Sequence, residues 1–176
     1  MKAKIRALII LSILCVFLAS AYALLPSGQA SAAGRGAANF GIPLIITDFH
    51  VSELLALALS NSRGPFGILN NPQGITAVSD VDGYFSAAQM RAFVYVVCNL
   101  RGTRRLDILP EPEEIANSLA HFSLILTGYR EYRFALLRRS PVSDEYLLFS
   151  QEHQAIFLVS EPTAQWFLRG AGDFME

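Results

Sequence analysis

Lysine is nearly missing from this chain: of 176 residues only Lys2 and Lys4 carry an ammonium, both within the first four positions. A domain without lysine excludes a P-loop lysine, a Schiff-base lysine and a Ser-x-x-Lys pair. Cysteine is scarce as well, with Cys15 and Cys98 as the two in the chain. No Cys-x-x-Cys, no Gly-x-Ser-x-Gly elbow and no His-Glu-x-x-His occurs, and Gly34-x-Gly36 lacks the third glycine of a dinucleotide fingerprint. A positive excess is lacking too. Setting aside Lys2, Lys4 and Arg6 from the 14 basic residues leaves 11 arginines against 15 acidic residues, a net charge of −4. That sign argues against a nucleic-acid binder.

Apolar residues are plentiful: 52% of the chain is hydrophobic and 16% charged, enough to build the core of one ordinary domain. The first 32 residues read as a secretory signal. Lys2, Lys4 and Arg6 form the positive end, Ala7 to Leu25 form an apolar run, and Pro26 ends any helix there. Ala21-Tyr22-Ala23 and Ala30-Ser31-Ala32 both offer small-x-small cleavage sites, and the second is favoured because the proline lies between the run and the cut. The alternative is an uncleaved anchor at residues 7–25, since about 18 to 20 apolar residues just span a bilayer. Cleavage leaves Cys98 alone, so no internal disulfide supports the mature chain. Its place in Phe93-Val-Tyr-Val-Val-Cys98 reads as burial of a small hydrophobe.

Residues 33–41 read as a flexible linker of small residues, and 42–176 as a single domain. Ile42 to Thr47 predicts a short edge strand, and Thr47 or Asp48 caps a helix to about Ser60 with Val51, Leu54, Leu55 and Ala58 on one side. Ser62 to Gly74, rich in Gly, Asn and Pro, reads as a long surface loop, and Ile75 to Val78 as a short strand. Ser86-Ala-Ala-Gln89 has the form of a capping box opening a central buried helix that stops at Gly102. Pro110 opens a further helix carrying Ile115, Leu119, Phe122 and Leu126, ended by Gly128. After Tyr129 the period changes to two through Phe149 and Val159, an antiparallel meander. Ser160 to Thr163 then starts a short last helix with Trp166 and Phe167. The fold class expected is α+β, with helices in the first half of the mature chain packed on the meander of the second.

Three constellations invite chemistry. Asp48, His50 and Glu53 lie within one turn of the first expected helix, where His50 and Glu53 suit an acid/base or metal pair. Residues 78–89 resemble the calcium loop of EF-hand proteins, with Asp80 and Asp82 at loop positions three and five, Gly83 at the turn and Ser86 at nine. Val78 and Gln89 depart from that pattern at positions one and twelve. The resemblance implies calcium as a ligand; no other cofactor is expected. Arginines cluster as Arg101, Arg104 and Arg105 and again as Arg130 and Arg133 through Arg138 and Arg139, a patch suited to carboxylate or phosphate if the segments meet. His121 and His153 read as structural.

These features lead to an exported, non-enzymatic protein, periplasmic or extracellular, that binds a protein or an anionic envelope partner; no nucleic acid is expected, and the membrane is met only through an uncleaved N-terminal segment. The competing reading is a small extracytoplasmic hydrolase using His50 or Glu53. A calcium-binding module through Asp80, Asp82 and Ser86 is the third.

Overall fold

The structure, a computed structural model, describes residues 43–176. The signal, anchor and linker readings of residues 1–41 lie outside the described residues. The chain runs through β1 (Leu44–Ile45), a 3-10 turn (Val51–Glu53), β2 (Leu54–Asn61), β3 (Gly64–Asn71), β4 (Gly74–Val78) and α1 (Ala87–Cys98). It continues with β5 (Arg101–Gly102), β6 (Arg104–Leu106), α2 (Pro112–Ala116), β7 (Ala120–Leu126) and β8 (Glu131–Arg139). Last come β9 (Glu145–Ser150), β10 (Ala155–Ser160), α3 (Glu161–Phe167) and a 3-10 turn (Ala171–Phe174). One antiparallel sheet of eight strands has the order β4-β3-β2-β7-β8-β9-β10-β6, with β1 paired to β5 beside it.

The expectation of helices gathered in the first half is overturned: the described chain is mostly β, and its sheet draws on both halves. Three segments account for the difference. Between Leu54 and Asn61 the large residues Leu57 and Leu59 alternate with Ala56, Ala58 and Ser60, a period of two concealed because alanine also counts as apolar. Leu57 and Leu59 are buried as β2 pairs with β3 on one side and β7 on the other, and this cross-strand packing outweighs alanine's preference for helix.

Ser62 to Gly74 is not one loop. Asn61-Ser-Arg-Gly64 and Asn71-Pro-Gln-Gly74 are two tight turns around a full strand, β3. In each, the asparagine Oδ1 accepts from the amide two residues on, Arg63 at 2.8 Å and Gln73 at 3.0 Å. Gly64 and Gly74 then take φ of 104° and 131°, which side-chain-bearing residues avoid. The helix expected from Pro110 to Leu126 is only the single turn α2; Ala120, Phe122, Leu124 and Leu126 face one side of β7. Phe122 and Leu126, four residues apart, fit period two as well as a helical stripe, and the pairings to β2 and β8 decide.

The front face of the sheet carries the main core. From β4 at one edge, α1 crosses this face to β5 and β6 at the other, burying Met90, Phe93, Val94, Val97 and Cys98. Ser86 stands at its N-cap, but its side chain makes no cap hydrogen bond. Its amide instead donates to the Phe174 carbonyl at 2.7 Å, so the expected capping box is replaced by a tie to the C-terminal segment. After β10, α3 and the last 3-10 turn return across the same face toward β3. Phe122 of β7 stacks on Phe134 at 4.7 Å and on Phe167 of α3 at 4.1 Å. The back face carries a smaller cluster over β8, β9 and β10, covered by Ile115 of α2. Among the described residues no helix is long and apolar enough to cross a membrane.

Phe122 is 1% exposed and touches aromatic rings of β8 and α3. Phe122→Ala is therefore expected to cost about 3–5 kcal/mol, and Phe122→Leu clearly less. Equilibrium urea unfolding measures both; an unchanged midpoint for Phe122→Ala would show that the ring does not support the fold.

Candidate functional site

β4 ends the sheet, and among the described residues nothing pairs with its outer side. Its register with β3 fixes which backbone groups point outward. Asn71 faces Gly74 across a two-residue turn, so Gly74, Thr76 and Val78 exchange hydrogen bonds with β3 while Ile75 and Ala77 turn their N–H and C=O away from it. The side chains of Ile75 and Ala77 pack on the front core, and those of Thr76 and Val78 lie on the back face.

The segment from Ser79 to Ser86 then passes this edge as a strap. The C-terminal residues hold it in place: Glu176 N donates to the Tyr84 carbonyl at 3.0 Å, Phe85 bridges to Met175, and Ser86 N reaches Phe174. Gly83 lies so close to the Met175 side chain that a Cβ there would force the methionine to move. Between strap, strand and the start of α1 lies a cleft of about 490 Å³ whose apolar lining includes Ile75, Ala77, Val81, Phe85 and Met90. Val81 is 43% exposed, and Tyr84 on the strap is 88% exposed. Exposed aromatic and branched side chains beside an unpaired strand are the kind of surface that interfaces are built from.

The residues singled out from sequence are dispersed. His50 caps the 3-10 turn, exposed, with its Nδ1 2.6 Å from Ser52 Oγ; it lies on no helix, and Glu53 ends the same turn. Asp48 is taken by Arg101, at 3.1 Å. Asp80 and Asp82 sit on the strap, preceded by β4 where an EF-hand would have a helix, and Ser86 heads α1. Asp80 Oδ1 has the Ser79 hydroxyl at 3.4 Å. Among the described residues no group of three or more His, Cys, Asp or Glu side chains is placed to hold a metal ion.

The two arginine segments do not meet. Arg104 and Arg105 lie on β6 and Arg133 on β8, with β9 and β10 between them, three strand spacings or about 14 Å. Most of these guanidinium groups are held locally by a carboxylate. Arg105 pairs with Asp107 at 2.6 Å, Arg133 with Glu131 at 2.8 Å, Arg138 with Glu114 at 2.8 Å and Arg139 with Asp144 at 2.7 Å. Arg101 also donates to the Thr47 carbonyl, while Arg130 stands exposed in the turn before β8. On the back face Arg133 sits beside Ser123, and Ser123 Oγ, Glu131 Oε1 and Gln151 Oε1 are buried without a hydrogen-bond partner. Glu131, Arg133 and Gln151 are themselves partly exposed, and within the patch the Arg133 guanidinium is paired with Glu131.

Sequence reasoning missed the cleft because it comes from register, and register is set by the hairpin turns. One signal was present: Gly74-Ile-Thr-Ala-Val78 is β-branched and uncharged. His121 and His153 have their pKa lowered, His121 by burial, His153 by burial and then by the charge of Arg105. Each leans on a serine, Ser118 for His121 and Ser150 for His153, both at 2.8 Å.

Cys98 is fully buried on α1, where desolvation first and the charge of Glu53 second push its thiol up to about 11. The thiol therefore stays protonated and unreactive near neutral pH. In native protein at pH 8 the Cys98 thiol is expected to resist an aromatic disulfide reagent that labels it after denaturation, as peptide mapping would show; rapid labelling of Cys98 in the native state would contradict this placement. No known protein family, characterised protein or solved structure matches the chain.

Proposed function

We propose that this chain is an exported, non-enzymatic protein that binds a protein partner through the cleft beside β4. The observation that carries the reading is the unpaired edge of β4 lying open beside a cleft of about 490 Å³, lined mainly by apolar residues with Thr76, Ser79 and Asp82 among them. Export rests on the N-terminal pattern of positive residues, apolar run and small-x-small cleavage site. A protein partner is favoured over an anionic envelope component because the arginines of both segments are mostly paired with nearby carboxylates. The competing hydrolytic reading draws no support from His50, which is exposed and turned onto Ser52.

A photo-crosslinking amino acid placed at Tyr84 in cells is expected to give a discrete adduct that the same group at Val142, exposed between β8 and β9, does not. His50→Ala and Glu53→Ala should leave that adduct unchanged. Equal crosslinking at both positions, or loss of function in a folded His50→Ala variant, would overturn the reading.

A further inference from the structure

We infer that the outer edge of β4 takes up a short extended peptide segment of its partner as a ninth strand, apolar at alternate positions and carrying an arginine or lysine near Asp80. This rests on the partner-binding reading above and adds the form and chemistry of what is bound.

The two edges of the sheet differ in the way that decides which is open. At β6 the strand itself bears Arg104 and Arg105, with Asp107 after them and Pro110 beyond, features that keep foreign strands away. β4 has no charge and no proline, and its register with β3 runs without a bulge. Ile75 and Ala77 point their N–H and C=O groups outward, and an unpaired, uncharged edge of this kind is a template for an added strand.

Side-chain alternation then fixes the pattern of the occupant. In an added strand, side chains on the front face would lie beside Ile75 and Ala77, in reach of Phe85 and Met90 across the cleft, and should be apolar. The intervening ones would lie beside Thr76 and Val78 on the back face and should be polar. Asp80, exposed two residues past the end of β4, has its Ser79 contact at the long limit of a hydrogen bond. It shares a small hollow with Arg63 and Asp173, but Arg63 is paired with Asp173, so the hollow keeps a net negative charge and a cation passing it is favoured. Size favours a peptide over a second copy of the chain. A stable protein–protein interface buries about 1,600 Å² in total, more than pairing along a strand of five residues provides.

The test titrates a blocked hexapeptide, arginine followed by alternating valine and threonine, into the full-length chain labelled with ¹⁵N. The amides of Ile75 and Ala77 are expected to shift most. Ala77→Pro removes one outward N–H while leaving the bonds to β3 in place, and should weaken binding about tenfold or more. Because that variant could also disturb the strand, a second arm leaves the protein untouched: N-methylating the peptide's valines should abolish binding. Replacing its arginine by glutamate should weaken it.

Shifts centred away from β4, no binding, or equal binding by the N-methylated peptide would each overturn the inference. A dimer of the free chain that Ala77→Pro dissolves would make the occupant a second copy instead, and would overturn it too. Tyr84 crosslinks that persist in Ala77→Pro would sink strand addition while leaving partner binding standing; loss of Tyr84-specific crosslinking in the unaltered chain would sink the broader reading.

Discussion

A continuous run of aromatic rings across the front of the sheet holds the described fold together. Phe134 of β8 stacks on Phe122 of β7 at 4.7 Å, Phe122 on Phe167 of α3 at 4.1 Å, and Phe167 meets Phe93 of α1 edge-on at 5.8 Å. Phe93 lies 5.4 Å from Phe174, which stacks on Phe66 of β3 at 4.7 Å. The only free thiol among the described residues is buried and unpaired, so packing takes the place of a crosslink. The same run connects fold to site. Phe174, between Phe93 and Phe66 in that run, belongs to the segment whose backbone ties down Ser86 and Tyr84, so the strap beside the cleft is positioned by the core itself.

How much of this is legible in sequence depends on which residues carry the signal. α1 is readable because Met90, Phe93, Val94 and Val97 recur at helical spacing after a serine, even though that serine caps nothing with its side chain. The strands after Tyr129 are readable because large apolar residues alternate with arginine or are bounded by obvious turns. β2 is concealed by its alanines: small residues on the back face have the same apolar character as the leucines on the front, and period two disappears when size is ignored. β7 is concealed for another reason, since Ile115, Leu119, Phe122 and Leu126 satisfy a helical stripe across what is in fact a helix turn, a connection and a strand. β3 is lost between two Asn-x-x-Gly turns that read together as one loop.

The candidate site is less legible than the fold, because chemistry-bearing residues draw attention while an unpaired strand edge is made of backbone. His50, Glu53 and the arginines look purposeful in sequence, yet in space the histidine caps a single turn and most of the guanidinium groups serve nearby carboxylates. With lysine confined to positions 2 and 4, arginine supplies nearly all the positive charge, and its planar fork suits these short local pairs. Of the two edges of the eight-stranded sheet, β4 from Gly74 to Val78 is the one without charge, while β6 carries Arg104 and Arg105.

That the outer edge of β4 is open is the claim on which the functional account stands. Residue-resolved amide hydrogen exchange on the free chain tests it directly. The account predicts fast exchange at Ile75 and Ala77, slower exchange at Thr76 and Val78, and the strongest protection in β2, β7 and β8. Ile75 and Ala77 protected as strongly as the central strands would mean that the edge is already covered, and would contradict it.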